Sequence, residues 1–218
     1  MIDEIAIADH LGLPRFPSKI VAVGLNYRAH AQEMGKALPE EPLLFLKAPS
    51  GIVENGTPIE RPRGYERTDF EGELGVVIGR TARRLREEEA LDYVFGYTIV
   101  NDVTVRDLQK KDVQYTRAKG FDTFCPIGPR IVSGLDPTNL KLQTRLNGAV
   151  KQDSSTHDLI FSVPKLIAFI SSVMTLLPGD IISTGTPPGV GPIAPGDVVE
   201  IEIEGIGVLR NPVVEAQS

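Results

Sequence analysis

Apolar residues in this chain fall mostly into short runs rich in β-branched side chains, closed by glycine or proline, and only occasionally into helical spacing. Such runs predict strands. They fall at residues 20–23, 43–46, 73–78, 97–100, 130–132, 140–146, 180–184, 198–203 and 208–211, and they dominate the C-terminal half. Three segments carry helix signals instead. Residues 26–34 follow a strand and open with Asn26, a good N-cap. Residues 104–111 open with Thr104 and place Asp107 in the first turn. Residues 162–176 start at Ser162, have Pro164 near the start and repeat apolar residues at helical spacing. Leu177-Pro178-Gly179-Asp180 then stops that helix. Strands therefore outnumber helices, and an α+β, β-rich fold is expected. Residues 1–18, which close on Pro14, Phe16 and Pro17, read as a small N-terminal strand-and-turn extension ahead of the main domain at 19–218.

Composition narrows the class. In 218 residues, 41% are hydrophobic and 24% charged, which fits a globular domain rather than a disordered chain. The single cysteine, Cys125, has no partner within the chain, so a disulfide scaffold is excluded. The net charge of −6 comes without any basic cluster to neutralise a run of phosphates, which argues against nucleic acid. Strongly apolar stretches such as 166–177 carry Ser171 and Ser172 and fall short of the ~20 residues a bilayer requires, so no membrane span is expected. The acidic start, Met1-Ile2-Asp3-Glu4, lacks the basic and apolar pattern of a signal peptide and reads as cytoplasmic. The 21 glycines and 17 prolines imply many turns between short strands.

Charged residues supply the candidate chemistry. Glu71 and Glu73 stand two apart at the mouth of an apolar strand, and the strand period of two places both side chains on one face. Two like charges so close need a cation between them or a proton on one of them. From the spacing alone, a strand end with both glutamates in solvent is the commoner outcome. A third carboxylate, Asp102, ends the strand at 97–100 where the chain turns into the next helix. Three carboxylates without a nearby His or Cys would make a hard, all-oxygen site suited to Mg2+, Mn2+ or Ca2+. A plain turn aspartate is the alternative for Asp102. Arg106 and Gln109 follow at i+4 and i+7 from Asp102 and would share its helical face, as pocket residues or as a solvated surface. His30 and Glu33 are spaced i, i+3, the outline of a base oriented by a carboxylate, although such pairs are common on helix surfaces. Lys47 and Lys119 are placed to offer positive charge to a carboxylate or enolate. The turn from Thr184 to Gly191 lacks Gly-Lys-Ser/Thr, so it is not a phosphate loop; its amides and Thr186 suit a substrate carboxylate, or simply form a rigid turn.

Five ordered motifs give these segments a resemblance. They are Gly24-x-Asn26-Tyr27-x-x-His30-x-x-Glu33, Phe45-Leu46-Lys47, Glu71-x-Glu73-Leu74, Asn101-Asp102-x-Thr104-x-Arg106-Asp107-x-Gln109 followed by Lys119, and Thr184-Gly185-Thr186-Pro187-x-Gly189-Val190-Gly191. Over 19–214 the chain resembles the fumarylacetoacetate hydrolase family, particularly its short members of the acylpyruvase and oxaloacetate decarboxylase type. The resemblance implies a mixed β-roll of curved sheets with a few flanking helices, assembled as a homodimer. It implies Glu71, Glu73 and Asp102 as ligands of Mg2+ or Mn2+, with Ca2+ as a substitute. Arg106, Gln109 and Lys119 would then surround a small 2-oxo acid, with Lys47 close by and Thr186 on its carboxylate. His30 and Glu33 would form a water-activating dyad on a lid. The implied activity is metal-dependent C–C hydrolysis of acylpyruvate-type 2,4-dioxo acids such as fumarylpyruvate. Oxaloacetate decarboxylation and isomerisation of 2-hydroxyhepta-2,4-diene-1,7-dioate are alternatives on the same scaffold, the latter because residues 121–129 are similar to such isomerases. A non-catalytic metal-binding protein is the alternative of another class. Ala48, where many relatives have a second Pro, and Gly72, where a larger residue is frequent, depart from the family pattern without removing a reacting group.

Overall fold

The computed structural model describes residues 4–217. The first third of the chain contains α1 (Glu4–Leu11), β1 (Ile20–Gly24), α2 (Arg28–Glu33), β2 (Leu43–Lys47), β3 (Ile52–Val53), β4 (Ile59–Arg61) and β5 (Thr68–Phe70). The middle contains β6 (Gly72–Ile78), β7 (Val94–Asn101), β8 (Thr104–Val105), α3 (Arg106–Lys111), α4 (Thr116–Lys119) and β9 (Cys125–Val132). The last third adds β10 (Lys141–Leu146), β11 (Ala149–Ser155), α5 (Val163–Val173), β12 (Ile181–Ser183), β13 (Gly191–Pro192), β14 (Val198–Ile203) and β15 (Gly207–Glu215).

These strands form three sheets. A seven-stranded mixed sheet has the order β2-β1-β12-β6-β7-β9-β3, a five-stranded sheet the order β11-β10-β14-β15-β4, and a small third sheet the order β13-β5-β8. Among the described residues, only β1–β12, β3–β9 and β15–β4 pair in parallel. The expected β-rich mixed architecture of curled sheets with few helices is therefore present. Among the described residues, no helix is long and apolar enough to cross a membrane.

The core explains why β6 carries the site. Every residue of β6 is buried. On one face Leu74, Val76 and Ile78 share the main core with Leu142, Ile201 and Leu209 of the five-stranded sheet. Val77, on the opposite face, packs with Ile20, Val100, Ile127 and Ile181. The period of two that separates these sets also puts Glu73 on the face opposite Leu74. Gly72 is required where the two large sheets approach: a Cβ there would lie 2.4 Å from Thr144 Oγ1. Its small size is thus matched by a neighbour on β10.

Several expectations need correction. Residues 4–11 are helical, and Ala8 and Leu11 of α1 pack with Leu13 against the seven-stranded sheet. This segment is no strand-and-turn appendage, because its apolar residues cover a sheet face that would otherwise meet water. Asn26 does not cap α2, which starts at Arg28 with Tyr27 in the N-cap position and no side-chain cap. The Asn26 side chain is buried instead, donating to Phe161 O and Thr184 O and accepting from Phe161 N. Thr104 belongs to β8 and α3 begins at Arg106, since pairing with β5 competes for that backbone. Strand β9 runs five residues further upstream than 130–132. Its Pro129 falls where the β7–β9 register is irregular, the kind of place where a sheet tolerates proline. Strand β11 carries no apolar alternation and escapes pattern reading; of its seven residues only Gln152 is buried. Ser162 does cap α5, accepting from Lys165 N.

Candidate active site

The C-terminal end of β7, the start of β6 and the turn after β12 converge on one place. Asp102 N donates to Glu71 O (2.9 Å) and Glu71 N donates to Asn101 Oδ1 (3.0 Å), so backbone bonds hold the two acidic segments side by side. One carboxylate oxygen from each of Glu71, Glu73 and Asp102 lies within 4.8 Å of the others, and all three residues are buried. Three charges at that spacing without countercharge would be strongly unfavourable, and the protein supplies cations. Lys119 Nζ donates to Glu71 Oε2 (2.9 Å), to Thr104 Oγ1 (2.9 Å) and, at very short range, to Asp102. Lys47 Nζ pairs with Asp102 Oδ1 at 2.7 Å, and Arg106 Nη2 pairs with Glu71 Oε1 at 2.6 Å.

The two glutamates consequently differ. Burial pushes Glu71 upward, but Lys119 and Arg106 outweigh it and hold the carboxyl down to about 2. For Glu73, burial and then the charges of Asp102 and Glu71 push the carboxyl up to about 8, even though Ser183 Oγ (2.5 Å) and Gly185 N (2.8 Å) donate to it. Burial also works against the charge of Lys119, but Asp102 and Glu71 more than compensate and raise its pKa. Lys119 is therefore an ammonium ion and acts as a fixed charge rather than a base.

The donor set fits a hard divalent cation. Three buried carboxylates converge without His or Cys, and one of them, Glu73, holds a proton near neutrality because it is buried and because two further carboxylates face it, as expected where a dication belongs.

A cavity of about 570 Å3 opens over these carboxylates. Nine of the ten residues singled out from the sequence line it, from His30 and Glu33 on one side to Arg106, Gln109 and Lys119 on the other, with Thr186 beside them. The exception is Lys47, which is 2% exposed and sits behind Asp102, where it also donates to Lys119 O at 2.8 Å. Its position supports the carboxylate and does not reach the cavity wall. Gln109 Oε1 accepts from Arg106 Nη1 (2.8 Å) on α3. His30 Nδ1 and Glu33 Oε2 lie 2.8 Å apart on α2. Glu33 Oε1 also accepts from Gly189 N (3.3 Å), which docks α2 on the turn that contains Thr186.

The sequence profile described as fumarylacetoacetate (FAA) hydrolase C-terminal matches residues 19–214. The chain belongs to the fumarylacetoacetate hydrolase family. Among family relatives, oxaloacetate tautomerase YisK of Bacillus subtilis is 44% identical over 217 residues, covering 94% of this chain and 72% of that one. A 2-hydroxyhepta-2,4-diene-1,7-dioate isomerase structure from Mycobacterium marinum superposes with TM-score 0.88 at 50% identity, covering 94% and 78% of the two chains. Fumarylpyruvate hydrolase from Pseudomonas aeruginosa, solved with Mn2+ and pyruvate, superposes with TM-score 0.87 at 32% identity, covering 92% and 91%. The family thus includes named tautomerases, isomerases and hydrolases, and at least one of its structures holds a divalent metal.

The sequence pattern did not single out three residues that surround this cavity. Asp69 is fully buried and accepts from Arg67 and Arg106. Its signal was available, because Asp69, Glu71 and Glu73 alternate at the same period of two. Arg67 had no such signal. Gln152 is the third: Nε2 donates to Thr186 Oγ1 (2.7 Å) and Pro187 O (2.8 Å), while Oε1 accepts from Gly72 N (3.1 Å). It clamps the Thr186 turn to the backbone between the two glutamates. Nothing in the polar run around Gln152 announces that role.

Proposed function

We propose that the protein is a divalent-metal-dependent enzyme of 2-oxo acids that hydrolyses a C–C bond in acylpyruvate-type 2,4-dioxo acids. The observation that carries this reading is the hydrogen-bonded His30–Glu33 pair, which lines the same cavity as Glu71, Glu73 and Asp102. Those three carboxylates are the proposed ligands of Mg2+ or Mn2+. A bound ion would polarise the 2-oxo oxygen of the acid and offset negative charge as the C–C bond breaks. His30, held by Glu33, would take a proton from a water molecule that attacks the distal carbonyl. Lys119 and Gln109 would stabilise charge on oxygen, and Arg106 and Thr186 would position the acid. The products are a carboxylic acid and pyruvate. The family also leads us to propose a homodimer, for which the edge strand β2 leaves Leu43 and Leu46 exposed.

Keto–enol isomerisation of a 2-oxo dicarboxylate is the second reading. It is favoured by identities of 44% and 50% to a tautomerase and an isomerase, against 32% to a hydrolase. The test is a turnover screen with Mg2+ or Mn2+, with and without EDTA, on acylpyruvates, oxaloacetate and dienedioates. Acylpyruvate cleavage that EDTA abolishes and that falls ~10²- to 10⁴-fold in His30→Ala supports hydrolysis. Tautomerisation of oxaloacetate without acylpyruvate cleavage establishes the second reading. Metal binding with no turnover of any candidate rejects both in favour of a binding protein.

A further inference from the structure

One wall of the cavity has no task in the reaction just described. Arg67 lines it, 51% of its side chain exposed, yet it is held as firmly as a core residue. Its Nε and Nη2 donate to the two oxygens of fully buried Asp69, at 2.8 and 2.9 Å. Its backbone N donates to Asp107 Oδ2 (3.0 Å), and its carbonyl accepts from Arg106 N (2.8 Å). Four bonds, two of them from the guanidinium to one buried carboxylate, are unnecessary for a solvated surface arginine, which normally keeps its side chain free. Nη1 has no hydrogen bond among the described residues. Lys110, on α3, lines the same cavity and likewise has no ion pair or hydrogen bond from its side chain there.

Charge bookkeeping points the same way. Asp69, Glu71, Glu73 and Asp102 carry four negative charges when ionised, Lys47, Arg67, Arg106 and Lys119 offset them, and Glu33 and Lys36, which also line the cavity, offset each other. A divalent ion on the three clustered carboxylates leaves the site two positive charges in excess, before Lys110 is counted. A monocarboxylate would leave that excess half-neutralised; a dicarboxylate matches it.

We infer that Arg67, with Lys110 beside it, forms a subsite for the distal carboxylate of the substrate and restricts the enzyme to 2-oxo dicarboxylic acids. A guanidinium held by bidentate pairing to a buried aspartate offers its remaining N–H at a fixed position, which suits recognition of a planar carboxylate. Asp69 then has a purpose: it orients Arg67 and Arg106 toward one cavity. The inference rests on the proposed 2-oxo acid chemistry, and the experiment separates the two.

Calorimetry on the Mg2+-loaded protein compares 2-oxoglutarate with 2-oxopentanoate, which has the same carbon chain without the second carboxylate. The expected preference for 2-oxoglutarate is about tenfold or more, the value of one good charge-assisted pair. Arg67→Gln is expected to remove most of it and Lys110→Ala to reduce it about threefold, with Mn2+ affinity measured in parallel and unchanged. Because the Lys110 side chain has no ion pair or hydrogen bond among the described residues, its variant keeps the test valid if Arg67→Gln fails to fold. A preference unaltered in Lys110→Ala and in any folded Arg67 variant overturns the subsite while leaving the 2-oxo acid reading intact. Failure of both acids to bind metal-loaded protein overturns that reading, and the subsite with it.

Discussion

Glu71 and Glu73 are two residues apart in one short segment, yet the structure gives them opposite proton affinities. Both are buried, but Glu71 faces two cations and stays ionised, whereas burial and then the charges of two facing anions hold Glu73 up to about 8. A metal that takes Glu73 as a ligand must displace its proton. Binding of Mn2+ at pH 7 is therefore expected to release about one proton and to tighten as pH rises toward 8. Titration calorimetry in buffers of different ionisation enthalpy measures that proton directly, and zero release at pH 7 would contradict the assignment. Lys119 behaves differently, since its surroundings favour the charged form and its role is electrostatic throughout.

At the scale of elements, the site depends on how closely two sheets approach. Strand β6 brings Glu73 inward and at Gly72 meets Thr144 of β10, while Gln152 of β11 reaches across to the Thr186 turn. The pattern of apolar runs anticipated β6, β7, β10 and β14 well, because each buries one or both faces and carries a continuous or alternating apolar signature. It could not anticipate β11, an edge strand whose polar residues look like loop. Gly72→Ala is expected to destabilise the protein by about 1–3 kcal/mol, the usual cost of forcing an extra methyl into packed structure. Urea unfolding of the metal-free variant checks this. A neutral result would mean that Thr144 moves aside without cost.

For the whole molecule, the acidic centre makes stability a function of pH and metal. The raised pKa of Glu73 contributes stability that is fully present below about 4.5 and is lost as pH rises through about 8. The depressed pKa of Glu71 contributes stability that is present above about 4.5 and is lost as pH falls toward about 2. The metal-free protein is therefore expected to melt at lower temperature as pH rises from 6 to 9, whereas saturating Mg2+ or Mn2+ should reduce or reverse that trend. Thermal melts with EDTA and with each metal test it; a flat metal-free profile would show that Glu73 is not the controlling group.

The identities of the reacting groups, their order along the chain and the strand-rich class were legible from the sequence, because side-chain chemistry and strand periodicity are local properties. The same local information placed Glu71 and Glu73 on one face and suggested a base in His30–Glu33. Which residues share a cavity was decided only by tertiary structure, since contacts such as Gln152 with Thr186 or Arg67 with Arg106 join segments whose separation in sequence carries no local signal. The same holds for charge. Lys47 and Lys119 are ordinary lysines in the sequence and become buried counterions only when folding brings both to Asp102. Burial and proximity set the proton affinities on which metal binding depends, and both arise from the packing of distant strands.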